Sequence, residues 1–159
     1  MINERLVGLL LSKSLTISTA ESCTGGLVAK SITDIGGCSE IYMGGVVAYS
    51  NDIKIRVLGV SPSTLDAYGA VSEQTAKEMA KGVRTLCKTD IGISTTGIAG
   101  PGGGTDEKPV GTVYVGISIN EECFAFNLNL DRSMSRDEIR RATVDRILST
   151  LYDKIFQSY

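Results

Sequence analysis

The chain has 159 residues, of which 42% are hydrophobic and 6% aromatic, with 16 basic against 18 acidic side chains. This composition is ordinary for one α/β domain with a real core and argues against disorder. The net charge of −2 lacks the electrostatic footprint of a general nucleic-acid binder, and the longest apolar runs are far too short to cross a bilayer. We therefore expect a cytoplasmic protein with neither nucleic acid nor membrane as a partner.

Histidine is absent from the chain, and its four cysteines are scattered. The missing imidazole excludes Ser-His-Asp and Cys-His arrangements and most zinc sites. No Cys-x-x-Cys pair is present, so the spacing fits neither a zinc ribbon nor a thioredoxin-type redox pair. We expect four reduced thiols, no metal and no cofactor, with acid–base chemistry left to Lys, Tyr, Asp, Glu or Cys.

Helical and strand-like periodicities alternate through the first half of the chain. The predicted elements are a helix capped by Asn3 and running to about residue 13, a strand at 15–20, a turn at 21–26, a helix ended by Gly36 and Gly37, and a strand at 43–49. This order indicates a strand–turn–helix unit followed by a second strand.

The second half combines helices with a β-rich stretch. The predicted elements are a helix capped by Asn51 and reaching residue 58, a helix started by Ser61-Pro62, a helix at 73–87 capped by Ser72, strands at 90–94, 110–119 and 123–130, and a final helix behind a Ser135/Glu138 capping box. The last two strands should form an antiparallel hairpin. We therefore predict an α/β fold formed by residues 1–159 as a single domain: a three-layer α/β/α sandwich with a mixed, partly antiparallel sheet.

A glycine-rich loop follows the third predicted strand. Five glycines stand in eight residues, and they are Gly97, Gly100, Gly102, Gly103 and Gly104. Without Cβ atoms, such a loop brings backbone N–H groups close to an anion. The Walker and dinucleotide patterns both fail, because Gly103 stands where the Walker lysine should be and Thr105 where the last dinucleotide glycine should be. The loop predicts an anionic ligand without implying a nucleoside triphosphatase.

Polar residues follow the predicted strands at the edge where open α/β sheets bind ligands. Ser22 is expected at a helix N-terminus, where an oxyanion would be stabilised and a nucleophile would be well placed. A simple capping role is the alternative for Ser22. Lys54 is the candidate base, since burial can lower the pKa of a lysine, and Tyr49 could relay or orient the proton. The alternatives are a solvated surface charge for Lys54 and a packing residue for Tyr49.

Cys23 is the rival nucleophile because it stands beside Ser22. The same helix terminus would acidify its thiol. A small buried thiol is the alternative role for this cysteine.

Three motifs occur together in the chain: Ala20-Glu21-Ser22-Cys23-Thr24-Gly25-Gly26, Gly44-Gly45-Val46-Val47-Ala48-Tyr49-Ser50-Asn51, and the glycine loop with Glu107-Lys108-Pro109-Val110-Gly111-Thr112. On these motifs the chain closely resembles the CinA C-terminal domain family, the nicotinamide mononucleotide (NMN) amidohydrolases. The resemblance covers nearly the whole chain. It implies hydrolysis of NMN to nicotinate mononucleotide and ammonia, a pyridine nucleotide salvage step, on an α/β/α fold without metal. We expect this nucleotide as the partner, and a homo-oligomer.

The resemblance also implies roles for individual residues. Ser22 would be the nucleophile, Lys54 its base, and Tyr49 an assistant in proton transfer. The substrate-binding residues would be Glu21, Thr24, Thr96, Gly97, Gly100, Gly102, Gly103, Gly104, Thr105 and Arg136. Arg136, which opens an Arg-x-x-Ile-Arg motif, would meet the phosphate bidentately.

Two departures from the family pattern stand out. Met134 replaces the glycine of a Phe-x-Gly motif before Arg136, so we expect a reshaped approach to the phosphate. Many relatives carry an N-terminal molybdopterin-binding-like domain, so we expect a stand-alone enzyme or an excised domain. A non-catalytic nucleotide-binding or sensor domain, and an amidase for another carboxamide, are the alternative functions.

Overall fold

The computed structural model describes residues 1–158. Its elements are α1 (Ile2–Lys13), β1 (Ile17–Glu21), α2 (Leu27–Thr33), a 3₁₀ helix (Cys38–Glu40), β2 (Tyr42–Val47), α3 (Asn51–Arg56), α4 (Pro62–Tyr68), α5 (Glu73–Cys87), β3 (Ile91–Gly97), β4 (Val113–Ile119), β5 (Glu122–Asn127) and α6 (Arg136–Ser158). The predicted order of helices and strands is confirmed, and the 3₁₀ helix is an addition to it. None of the helices in this described part is long and apolar enough to traverse a bilayer.

The five strands form one sheet in the order β2-β1-β3-β4-β5. Strand β1 pairs in parallel with β2 and β3, whereas β4 pairs antiparallel with β3 and β5. Apolar side chains of α1, α2 and α6 form a core with one face of the sheet, and α5 packs a smaller core against the other face. The predicted α/β/α fold with a mixed sheet is therefore confirmed.

Both asparagine caps were predicted wrongly. Helix α1 begins at Ile2, and the Asn3 side chain instead donates a hydrogen bond to the Ser31 carbonyl at 3.0 Å. Helix α3 is capped by Ser50, whose hydroxyl accepts from the Ile53 N–H at 3.2 Å. In each case another residue takes the N-cap position, so the helix starts one residue or more before the expected position.

The serine caps were predicted correctly. The Ser72 hydroxyl accepts from the Thr75 N–H at 3.2 Å at the start of α5. Before α6, the Ser135 N–H donates to the Glu138 carboxylate at 2.7 Å, and the Glu138 N–H donates back to the Ser135 hydroxyl at 3.2 Å. This reciprocal pair is the capping box expected from the sequence.

The strand bounds around the glycine loop differ from those predicted. Strand β3 continues to Gly97, and β4 begins only at Val113. The Gly111 N–H donates to Ile98, and Gly111 has a φ of 94° with no room for a side chain beside the Leu130 carbonyl. The chain is therefore irregular before Val113, even though its sequence is β-rich.

The carboxyl ends of β1, β2 and β3 meet at one edge of the sheet. The Ser22 N–H donates to the Thr95 carbonyl at 2.9 Å, and the Ala48 N–H donates to the Glu21 carbonyl at 2.8 Å. These bonds continue the sheet pairing just past the regular strands, so the segment after β1 is held between its two neighbours.

Candidate active site

Ser22 lies in a tight turn, residues 22–26, between β1 and α2. The turn closes through the Gly25 N–H, which donates to the Ser22 carbonyl at 3.1 Å. Gly25 and Gly26 both have positive φ, of 60° and 103°, a conformation that glycine adopts without steric cost. Ser22 retains 9% exposure, which leaves its hydroxyl at a surface that a small molecule can reach.

Lys54 comes from α3 and is almost completely buried, with 1% exposure. Its Nζ lies 3.1 Å from Ser22 Oγ and donates to the Ala48 carbonyl at 2.8 Å. None of the ion pairs among residues 1–158 includes Lys54. Burial away from water lowers the pKa of Lys54, because desolvation disfavours the ammonium form. Lys54 Nζ thus lies within hydrogen-bond distance of the Ser22 hydroxyl, and its pKa lies below the ordinary value for lysine.

Cys23 does not have the acidified thiol that the sequence suggested. Burial raises the pKa of Cys23 to about 12, since a thiolate would be poorly solvated there. A thiol with this pKa stays protonated near neutral pH and is a weak nucleophile. This environment fits the small buried thiol, the other role considered for Cys23, and not the rival nucleophile.

Glu21 occupies the position in which an oxyanion was expected. Its buried carboxylate accepts from the N–H groups of Val28 at 2.8 Å and Ala29 at 3.0 Å, in the first turn of α2. Helix α2 begins at Leu27, so Ser22 is not its first residue. The N–H groups of Val28 and Ala29 at the positive end of the helix therefore bind Glu21 and are not free for an oxyanion at Ser22.

Thr24 joins Glu21 below the turn. Its fully buried hydroxyl donates to Glu21 at 2.6 Å and lies 2.7 Å from the Thr95 hydroxyl. The side chains of Glu21 and Thr24 were expected to bind substrate in the cleft. They lie outside it, because the turn that exposes Ser22 points them inward. They support the turn.

A cavity of about 210 Å³ opens beside Ser22. It is lined by Ser22, Cys23, Tyr49, Asn51, Lys54, Ala70, Val71, Thr96, Gly97, Ala99 and Arg136. The structure therefore brings together seven of the residues singled out from the sequence for catalysis or binding: Ser22, Cys23, Lys54, Tyr49, Thr96, Gly97 and Arg136. The hydroxyl of Thr96 already donates to the Ala70 carbonyl at 2.7 Å, which fixes one wall of the cavity.

Sequence reasoning missed Asn51, Ala70, Val71 and Ala99 as lining residues. Asn51 was assigned only as a helix cap, although it precedes Lys54 by three residues, the spacing that places two side chains on one helix face. Ala70 and Val71 lie between α4 and α5 and carry no chemical signal in the sequence.

Tyr49 and Arg136 meet at the mouth of the cavity. The Tyr49 side chain is 61% exposed, and its hydroxyl accepts from Arg136 Nη2 at 3.0 Å. Arg136 Nη1 donates to the Gly100 carbonyl at 2.7 Å. The contact made by the Tyr49 hydroxyl is therefore with Arg136 and not with the Ser22–Lys54 pair, so the geometry favours a binding role over proton relay.

The glycine loop contributes less to the cavity than expected. Gly100, with a φ of 75°, offers its carbonyl to Arg136, but Gly102, Gly103, Gly104 and Thr105 are exposed and do not line the cavity. Lys108, which sequence reasoning did not select, donates from Nζ to the carbonyls of Tyr68 at 2.9 Å and Val71 at 2.7 Å. The far side of the loop is thus anchored to the cavity wall.

Met134, which replaces the family glycine, packs half-buried against the main core and does not line the cavity.

These features define an α/β protein with a buried serine–lysine pair at the carboxyl ends of parallel strands. The chain belongs to the CinA C-terminal domain family, whose sequence profile matches residues 1–155. It is 57% identical over 139 residues to a "Putative competence-damage inducible protein" of Caldanaerobacter subterraneus subsp. tengcongensis, covering 87% of this chain and 33% of that protein. It is 49% identical over 152 residues to a "CinA-like protein" of Kosmotoga olearia, covering 94% of this chain and 37% of that one. The chain spans about a third of the length of these curated relatives.

Solved structures show the same fold. The competence/damage inducible protein CihA from Agrobacterium tumefaciens superposes with a TM-score of 0.91 at 41% identity, over 94% of this chain and 91% of that one. A CinA superfamily protein from Enterobacter cloacae gives a TM-score of 0.92 at 33% identity, over 97% and 90% of the two chains.

Proposed function

We propose that this protein is an amidohydrolase that converts NMN and water to nicotinate mononucleotide and ammonia. The observation that carries the proposal is the 3.1 Å separation of Lys54 Nζ and Ser22 Oγ, with the lysine buried and outside every ion pair of the described residues. A buried lysine without a counter-ion is energetically costly, and groups of this kind are concentrated at functional sites. Nucleotide binding alone would not require this pair, which favours an enzyme over a sensor domain.

The proposed reaction proceeds through an acyl-enzyme. Neutral Lys54 takes the Ser22 proton while Oγ attacks the carboxamide carbon, and a tetrahedral intermediate forms. Protonated Lys54 then gives this proton to the leaving nitrogen, the C–N bond breaks, and ammonia departs to leave an ester on Ser22. Water then attacks the ester with Lys54 as base. The ester bond breaks, which releases nicotinate mononucleotide and restores the serine hydroxyl.

The size of the cavity supports an orientation for the substrate. Its volume of about 210 Å³ is below the roughly 300–1,000 Å³ of pockets that enclose whole ligands. The pyridine carboxamide would therefore lie inside, against Ser22, and the ribose phosphate would extend toward the mouth. Arg136 lies there with two donors engaged and, since a guanidinium carries five N–H donors, others left for a phosphate.

The experiment that tests the proposal is ammonia release by the purified protein supplied with NMN. We expect ammonia and nicotinate mononucleotide in equal amounts, with much slower release from free nicotinamide and from glutamine, which lack the nucleotide. The Ser22→Ala protein from the same preparation controls for contaminating amidases. Rapid hydrolysis of glutamine but not of NMN would favour the amidase for another carboxamide, and binding of NMN without any ammonia would favour the sensor domain.

The phosphate contact makes a separate prediction for Arg136→Ala. Hydrogen bonds to charged groups contribute about 1.5–3 kcal/mol, so the substitution should lower kcat/KM for NMN about ten- to a hundredfold. With nicotinamide riboside, which has the same amide and no phosphate, the same substitution should cost little. The measurement compares both enzymes on both substrates, with Arg132→Ala as a control outside the cavity lining. Equal losses on the two substrates would remove Arg136 from the phosphate site.

A further inference from the structure

Arg140 reaches from α6 to the turn that carries Ser22. Its Nη2 donates to the Thr24 carbonyl at 2.7 Å, a contact between residues 116 apart in sequence. Arg140 lies one helical turn beyond Arg136, so α6 supplies one arginine to the mouth of the cavity and another to the nucleophile turn. Arg140 does not line the cavity, and any role in the reaction must act through the turn.

The Arg140 guanidinium lies against Gly25 of the turn. A Cβ atom on Gly25 would lie 2.9 Å from Arg140 Nη2, closer than real Cβ contacts, so a side chain there would push the arginine away. Thr24 is held at both ends. Its carbonyl accepts from Arg140 at 2.7 Å and from the Leu27 N–H at 3.1 Å, while its hydroxyl contacts Glu21 and Thr95. The backbone two residues after Ser22 is therefore held from α6 and from the sheet.

Burial of the Arg140 side chain carries an energetic cost. Arg140 Nε is buried, and no residue among 1–158 accepts a hydrogen bond from it. A buried donor without a partner is unfavourable, and such groups are rare in native proteins unless they serve a function. An apolar side chain of similar length would avoid that cost but would lose the hydrogen bond to the Thr24 carbonyl.

We infer that Arg140 is a positioning residue for Ser22. By fixing the Thr24 carbonyl, it holds residues 22–26 so that Ser22 Oγ stays within reach of Lys54 Nζ. This inference rests on the proposed serine–lysine mechanism, and it extends the site to a residue that neither lines the cavity nor contacts the reacting atoms.

The test replaces Arg140 by methionine, which keeps much of the length and removes the donors. The matched control is Arg141→Met, since Arg141 is exposed and paired with Asp137 on its own helix. Misplacement of a reacting group by about 1 Å can cost about a hundredfold, so we expect Arg140→Met to lower kcat for NMN about ten- to a hundredfold with KM nearly unchanged. Arg136→Ala should lower kcat/KM for NMN and spare the riboside, whereas Arg140→Met should slow both substrates.

A second measurement separates this inference from the identity of the substrate. A fluorophosphonate probe phosphonylates an activated serine directly, and its rate of reaction with Ser22 should fall in Arg140→Met by a factor similar to that in kcat. Labelling of folded Arg140→Met at the wild-type rate would overturn the positioning role. Wild-type protein that is not labelled at Ser22 would instead overturn the serine mechanism itself.

Arg140→Lys covers the case in which the methionine variant does not fold. Lysine keeps the charge but lacks the fork of the guanidinium and is shorter, so we expect a folded protein with labelling slowed about tenfold, an intermediate effect. Wild-type labelling and wild-type kcat in a folded Arg140→Lys protein would overturn the positioning role of the guanidinium.

Discussion

Ser22→Ala should reduce NMN hydrolysis by at least about 10³-fold, because losing the nucleophile of such a mechanism removes the covalent route altogether. The fold should survive the substitution. Ser22 contributes little packing volume, and Lys54 keeps its hydrogen bond to the Ala48 carbonyl. The measurements are kcat/KM for ammonia release, the melting temperature and the affinity for NMN, of which only the first should change greatly.

The control for this prediction is the neighbouring thiol. Because burial raises the pKa of Cys23 to about 12, Cys23→Ala should keep most of the activity. Loss of activity in Cys23→Ala together with full activity in Ser22→Ala would transfer the nucleophile to the cysteine.

Lys54→Arg should be almost as damaging as Lys54→Met, with losses of about 10²- to 10⁴-fold for removal of a general base. Arginine keeps the positive charge but does not deprotonate in proteins, whereas methionine has neither charge nor basicity. The assay is kcat/KM with NMN, and Lys77→Arg on the exposed face of α5 is the matched control. An active Lys54→Arg enzyme would show that Lys54 supplies only charge.

The same lysine sets an expected pH dependence. Desolvation lowers the pKa of Lys54 from its usual 10.5, and only the neutral amine can accept the Ser22 proton. The rate should therefore rise with pH as Lys54 loses its proton, with a midpoint below 10.5. The unfolded state binds the Lys54 proton more tightly than the folded state does. The free energy of unfolding should therefore rise with pH between the folded-state pKa of Lys54 and 10.5. Below that window, the cost of burying the charged Lys54 is present in full. Both dependences should disappear in Lys54→Met.

Much of the fold could be predicted because local and global signals agree. Helix α5 has a serine cap and an apolar stripe, α6 has a reciprocal capping box, and the β4–β5 hairpin follows from two β-rich runs around a polar turn. The asparagine caps were wrong because sequence alone does not decide which of several adjacent polar residues takes the flanking conformation. The start of β4 was misplaced because residues 110–112 bond to Ile98 and Leu130, distant in sequence.

Only part of the site was predictable, because many of its contacts join residues that are far apart in the sequence. Ser22 and Lys54 stand in recognisable motifs, and their pairing follows from the meeting of strand ends. The role of Glu21 was hidden because its partners are backbone N–H groups seven and eight residues later. The contacts of Tyr49 with Arg136, Lys108 with Val71 and Arg140 with Thr24 join residues 37 to 116 positions apart. No local pattern predicts such contacts.

The proposed mechanism requires a covalent bond between Ser22 and the nicotinoyl carbon of NMN. The measurement is rapid acid quenching of enzyme mixed with excess NMN, followed by mass spectrometry of the peptide that contains residues 22 and 23, with hydroxylamine added in a parallel reaction. The proposed mechanism predicts an adduct with the mass of NMN less ammonia on Ser22. Where the ester is too short-lived to trap, it predicts the hydroxamate of nicotinate mononucleotide when hydroxylamine competes with water. An adduct on Cys23, or turnover of NMN that yields neither adduct nor hydroxamate, would contradict it.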